Sequence, residues 1–311
     1  MHFLKSRIVP FLRFVLETGQ RFKMNITPNH FYSEIPDLAM MRREKFWRAP
    51  MSMVGVLGTD TAAQLAWVRA SCGPTAEQRR TMDVHGDAIR RNGEAGYGPI
   101  EAEFLYCFIR SHKPAKIVQV GCGVSTAIIL QAAADAGYMP KVVCIEPYPT
   151  QVLRDEHDAG RIQLIPEMAQ KVALEQLTDL RPGDLLFVDS THTVKPGSEV
   201  VRIMLEVLPR LAPGVWAHFH DIFFPYDYNQ GILTDDVFFT RESTLLHAFL
   251  VMNNAWTIVA SMSMLHHLEV KAMQEIFPKY RPRRVESAVV VQDGHFPSAT
   301  YLRRLESGPA K

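Results

Sequence analysis

From Gly96 onward, short runs of apolar and β-branched residues alternate with segments whose apolar positions recur every three or four residues. This is the pattern of a parallel sheet covered by helices. Residues 116–121, 141–146, 161–165, 184–189 and 214–221 read as five strands in order, 255–260 as a sixth, and 298–303 as a last β-like run. Val201, Met204, Leu205 and Leu208 form one apolar stripe at helical spacing, ended by Pro209 and the turn Ala212-Pro213-Gly214. Leu245, Leu246, Phe249 and Leu250 form a second stripe. Residues 278–284, charged and proline-containing, read as a surface connection. Before residue 96 the pattern is helical or irregular, with charged clusters such as Glu77-Gln78-Arg79-Arg80. The division expected is a mainly helical cap or oligomerisation element over 1–95, suited to a homodimer contact, and a sheet domain over 96–311.

Composition narrows the classes. The 311 residues carry 34 Lys and Arg against 33 Asp and Glu, so no general attraction to nucleic acid or an acidic membrane is expected. Lys5, Arg7 and Arg13 interrupt the apolar N-terminus, and no run of eighteen apolar residues predicts a membrane span. Cys72, Cys107, Cys122 and Cys144 are too few and too scattered for a disulfide framework, and a reducing cytoplasm fits best.

The most informative stretch runs from Ile117 through Gly121-Cys122-Gly123 to Ser125 and Thr126: a buried strand, a glycine turn, then a helix starting near Ser125. Such a turn lets a ligand approach the backbone, and a helix N-terminus favours negative charge. The turn read alone is equally a tight strand-to-helix connection. A dinucleotide fingerprint would place a third glycine where Thr126 stands, which disfavours NAD and a nicotinamide-dependent oxidoreductase. Glu146 ends the second strand, 25 residues after Gly121, where an acidic side chain can accept from both hydroxyls of a ribose. A nucleoside ligand is expected.

Residues 96 to about 303 resemble a class I S-adenosylmethionine-dependent methyltransferase, particularly the bacterial group related to small-molecule and sugar O-methyltransferases. The resemblance rests on VGCGVST, CIEPYP, LLFVDSTHTVKPGSEV, LPRLAPGVWAHFHDIFFPYDY and SATYLRR, with NHFYSEIPD as a lead-in. It implies a Rossmann-like fold: a mostly parallel seven-stranded sheet with an antiparallel last strand, plus an N-terminal helical cap. It also implies S-adenosylmethionine as cofactor, with Gly121, Cys122, Gly123, Ser125 and Thr126 along its methionine part and Glu146 on its ribose. Tyr97 and Glu101 would reach the same pocket. Members of the family usually carry an acidic residue where Gln119 stands and often a third glycine where Ser125 stands.

In open α/β sheets ligands sit beyond the carboxyl ends of the strands, so Asp189 to His192 and His218 to Asp221 should face the transferable methyl group. A hydroxyl acceptor must lose a proton. His192 is a candidate base, with Asp189 and His220 beside it. Alternatively Asp189, Asp221 and His220 hold a divalent ion that orients the acceptor and lowers its pKa; imidazole in that set favours a transition metal over magnesium. His218 and His220 also fit interior histidines. Tyr226 and Tyr228, in the aromatic run after Asp221, are candidate substrate contacts. The activity expected is methyl transfer to a hydroxyl of a small molecule, such as a sugar or natural-product intermediate. A non-catalytic nucleoside-binding scaffold of the same fold is the alternative.

Overall fold

All seven apolar runs join one sheet, because successive side chains on each strand enter different cores. The chain is described by a computed structural model over residues 2–229, 231, 233, 239–285, 288–291 and 297–306. Its strands are β1 (Lys116–Val120), β2 (Lys141–Ile145), β3 (Gln163–Ile165), β4 (Leu185–Val188), β5 (Trp216–Phe219) and β6 (Trp256–Ser261). An antiparallel pair of its own, β7 (Pro282–Val285) and β8 (Ala288–Val291), precedes β9 (Thr300–Arg304). The sheet order is β3-β2-β1-β4-β5-β9-β6, with β9 antiparallel to both neighbours and β1 to β5 parallel. Ile117, Val142, Leu185 and Phe187 fill one core, while Val118, Val143, Leu186 and Val188 fill the other. Burial on both faces explains why these strands are apolar throughout rather than alternating.

Two compact units make up the chain. The smaller one, residues 1–49 with 231–239, contains α1 (His2–Arg21) and α2 (Leu38–Arg43). The larger holds the sheet and α3 (Thr61–Cys72), α4 (Ala76–Thr81), α5 (Val84–Asn92), α6 (Pro99–His112), α7 (Val124–Asp135) and α8 (Gln151–Asp158). It also holds α9 (Leu174–Thr178), α10 (Glu199–Arg202), α11 (Glu242–Leu250), α12 (Met262–Leu268) and α13 (Val270–Ile276). No described helix is long and apolar enough to cross a membrane.

Two expectations change. The boundary placed at residue 95 lies inside the larger unit, because α3 packs on β6 and α6, and α5 on α7. The stripe from Val201 to Leu208 is not one helix: α10 passes into a π turn at Ile203–Val207, which rotates Leu205 out to solvent while Met204 and Leu208 stay buried. Within 278–284, expected as a surface connection, residues from Pro282 onward pair as β7 with β8.

Arg79, in the charged cluster Glu77-Gln78-Arg79-Arg80, is buried. Its guanidinium meets Glu103 at 3.0 Å and also donates to the Ile276 carbonyl, tying α4, α6 and α13 together.

Candidate active site

The switch in strand order falls between β1 and β4, where the crossovers diverge and a cleft opens beyond the strand ends. After β1 the chain turns on Gly121, at φ +80°, and α7 begins at Val124. Polar side chains brace the turn from inside. Gln119, fully buried, donates to Ser125 Oγ at 2.7 Å and accepts from Thr126 Oγ1 at 2.9 Å; the Gly123 N–H donates to Thr126 Oγ1 at 3.2 Å. Thr126 thus packs behind the loop as a hydrogen-bonded strut. Both its position and that of Gln119 leave neither facing the cleft.

Glu146, directly after β2, accepts the N–H of Cys122 at 3.2 Å and that of Tyr148 at 2.9 Å. Each carboxylate oxygen keeps capacity for a further donor. Two adjoining cavities, of about 270 and 430 Å³, share Gly121, Glu146, Tyr148 and Asp189 in their walls. Asn92, Tyr97, Cys122, Gly123 and Ser125 line the first; Met168, Ala169 and Gln170 line the second. A larger hollow of about 600 Å³ by Trp67, Arg110 and His112 involves residues that precede β1 and β2, away from this chemistry.

Asp189 also belongs to a buried cluster at the ends of β4 and β5. His192 and Asp221 both adopt left-handed backbone conformations, φ +56° and +52°, which turn their side chains toward one another. His192 Nε2 lies 3.4 Å from Asp189 Oδ1 and 3.6 Å from Asp221 Oδ2, and its Nδ1 lies 2.7 Å from Glu242 Oε2. His220 Nε2 is 3.6 Å from Asp221 Oδ1, and its Nδ1 is 3.8 Å from Glu101 Oε1. Glu101, 1% exposed, is held by the N–H and Oγ of Ser298, whose Oγ also lies 2.8 Å from Asp221 Oδ1.

Burial opposes charge on His192, Asp189, His220 and His218, and the neighbours decide which keep it. Burial lowers the affinity of His192 for a proton, but Asp189, Glu242 and Asp221 outweigh it and hold the ring well above its ordinary value. Burial likewise pushes Asp189 up, yet His220 and His192 bring its carboxyl below the usual range. His220 is raised despite burial by Asp189, Asp221 and Glu101. His218 has no such help: burial and the neighbouring His220 take it well below the usual value, and it stacks on Phe187 at 4.1 Å as an interior histidine.

Among the described residues no group of three His, Cys, Asp or Glu side chains is arranged to hold a metal ion. The imidazole Nε2 of His192 lies within 3.4 Å of Asp189 and 3.6 Å of Asp221, the two carboxylates of the proposed metal set. As placed, the donor set does not fit the metal site considered from the sequence.

Residues 118–222 match the family model described as a methyltransferase domain. Solved structures with significant similarity include an O-methyltransferase from Klebsiella pneumoniae whose assignment is provisional, at 14% identity, 73% of this chain, 91% of that chain and a TM-score of 0.44. TomG from Streptomyces achromogenes, an O-methyltransferase of tomaymycin synthesis in complex with S-adenosylmethionine, gives 14%, 76%, 89% and 0.42. The methyltransferase PaMTH1 of Podospora anserina, bound to S-adenosylhomocysteine, gives 17%, 76%, 88% and 0.38. No curated protein matches the chain.

Within the matched segment and its flanks, the structure gathers Gly121, Cys122, Gly123, Ser125, Glu146, Tyr97 and Asp189 around one cleft. Glu101 does not line it; the side chain is buried under Ser298. Phe223 and Phe224 are buried packing residues, while Tyr226 and Tyr228 are half-buried, with the Tyr226 ring edge-on to His267 at 4.7 Å. Sequence reasoning missed Asn92, Met168 to Gln170, Glu242 and Ser298. Ser298 opens the SATYLRR stretch and was within reach; Glu242 stands in a helix with no local signal.

Proposed function

We propose that the chain is an S-adenosylmethionine-dependent O-methyltransferase acting on a small hydroxylated molecule, a sugar or natural-product intermediate. The observation that carries this reading is the double membership of Asp189: it lines the cleft beside Gly121 and Glu146, and it stands 3.4 Å from His192. Cofactor and acceptor sites therefore meet at one carboxylate.

When bound, the cofactor supplies a sulfonium methyl group for in-line displacement. Glu146 would accept hydrogen bonds from its ribose, and Met168, Ala169 and Gln170 would wall the base. Gln119 is consumed in bracing the loop, so the ammonium end falls to Asn92, whose Oδ1 is buried and without a partner among the described residues. His192, in its neutral form with the Nδ1–H donated to Glu242, presents the Nε2 lone pair to the acceptor hydroxyl and takes its proton. Asp189 and Asp221 flank that nitrogen and orient the hydroxyl. Proximity of this kind contributes roughly 7–11 kcal/mol in favourable cases.

Calorimetry with S-adenosylmethionine, S-adenosylhomocysteine and NAD tests the cofactor; binding of the two sulfur nucleosides and not NAD is expected. Methyl-labelled S-adenosylmethionine offered with a panel of free sugars, glycosides and phenols tests the chemistry. Absence of binding by both sulfur nucleosides would sink the reading.

A further inference from the structure

We infer that Glu242 is the positioning residue of the acceptor site, holding the His192 ring so that Nε2 points between Asp189 and Asp221. The inference rests on the methyl-transfer reading above. The Glu242 contact, at 2.7 Å, is the shortest the ring makes; the two aspartates stand at 3.4 and 3.6 Å. It joins residues 50 apart in sequence, so it exists only because α11 delivers Glu242 to the ends of β4 and β5.

The carboxylate is 1% exposed, a costly place for a charge. A carboxylate kept only for stability would satisfy both oxygens. Here Oε2 faces His192, and Oε1 has no partner among the described residues. Position at the first turn of α11 favours the negative charge without supplying a second partner. The backbone is held from the same place: the Arg241 N–H donates to the His192 carbonyl at 3.3 Å, where His192 keeps its left-handed conformation. Neighbouring residues of one helix start thus grip both the main chain and the ring of His192.

The consequence is chemical. Asp189 and Asp221, at 3.4 and 3.6 Å, draw the neutral ring's single proton toward Nε2, while Glu242, at 2.7 Å, draws it to Nδ1; the shorter contact prevails and leaves the lone pair on Nε2. Without Glu242 the ring is free to take the other tautomer or to turn over, and Nε2 no longer faces the acceptor.

Nitrogen-15 NMR of the full chain at alkaline pH, where the ring is neutral, reads this directly, with the His192 signals assigned from their loss in His192→Asn. The wild type is expected to carry the proton on Nδ1, Glu242→Ala to lose that preference, and Glu242→Gln to keep part of it through its amide oxygen. With whichever acceptor of the panel turns over fastest, Glu242→Ala should lower kcat roughly 10-fold to 100-fold, at the low end of what a positioned base contributes. KM for the acceptor and affinity for S-adenosylmethionine should change far less. An unchanged tautomer, or an unchanged kcat with only a lower melting temperature, overturns the inference. Should Glu242→Ala not fold, a wild-type ring protonated on Nε2 overturns it equally. The expected tautomers in a chain that methylates no acceptor would leave the ring's positioning standing and remove the proposed activity.

Discussion

A side-chain carbon added to Gly121 would lie 1.6 Å from the carbonyl oxygen of Asp189. The glycine turn after β1 and the end of β4 therefore meet backbone to backbone, and the left-handed φ of Gly121 adds a second reason for glycine there. Gly121→Ala is expected to weaken S-adenosylmethionine binding at least tenfold and to destabilise the fold by about 1–3 kcal/mol, the usual cost of such strain. Calorimetry and thermal melting check both; unchanged affinity would refute the close approach.

His192→Ala should lower turnover by about 10²-fold or more while leaving cofactor affinity nearly unchanged, since the ring belongs to the acceptor side. Steady-state kinetics beside calorimetry separates the two effects. Full activity in the variant would remove His192 as base.

The pH profile follows from the same ring. Its carboxylate neighbours hold His192 well above the ordinary imidazole value, so it keeps its proton to higher pH than a free imidazole and gains its lone pair only as pH rises. Activity should climb with pH, with a midpoint above about 6.5. Asp221→Asn removes one of those neighbours and should move the midpoint down. For stability the sign is opposite: the ring's pairing contributes fully below the unfolded value and is lost as pH rises through the folded one.

Chelation offers another check. With His192 Nε2 close to both Asp189 and Asp221, extensive treatment with a chelator should leave turnover intact. Loss of activity restored by a divalent ion would show that the three side chains rearrange around a metal.

Arg79 and Glu103 test the fold away from the cleft. Both side chains are 3% exposed, so Arg79→Ala strands a buried carboxylate and should cost about 3–5 kcal/mol in denaturant unfolding. Replacing both with apolar residues of similar volume should cost much less.

The sheet and the glycine turn were legible because their signals are local: apolar runs of strand length, a glycine pair, and an acidic residue at the next strand end. The packing of α3 on the sheet was not legible, for a physical reason. Gln64 in α3 looks like a surface residue, yet it is buried, donating to the Gly58 carbonyl at 2.8 Å and accepting the Ser261 N–H at 2.9 Å. A polar side chain that buttons a helix onto a strand carries no apolar period to read. Glu242 is the same lesson at the site: a carboxylate at a helix start is ordinary in sequence, and its partner lies 50 residues upstream.

The place of β9 in the sheet also sets an order of assembly. It is inserted between β5 and β6, and Ser298 just before it bonds both Glu101 and Asp221. During synthesis the loop at Gly121 and the strand ends at Asp189 and Asp221 emerge long before this segment. The first parallel strands can pair early, but Glu101 and Asp221 stay unbuttressed until Ser298 has been made and has reached them.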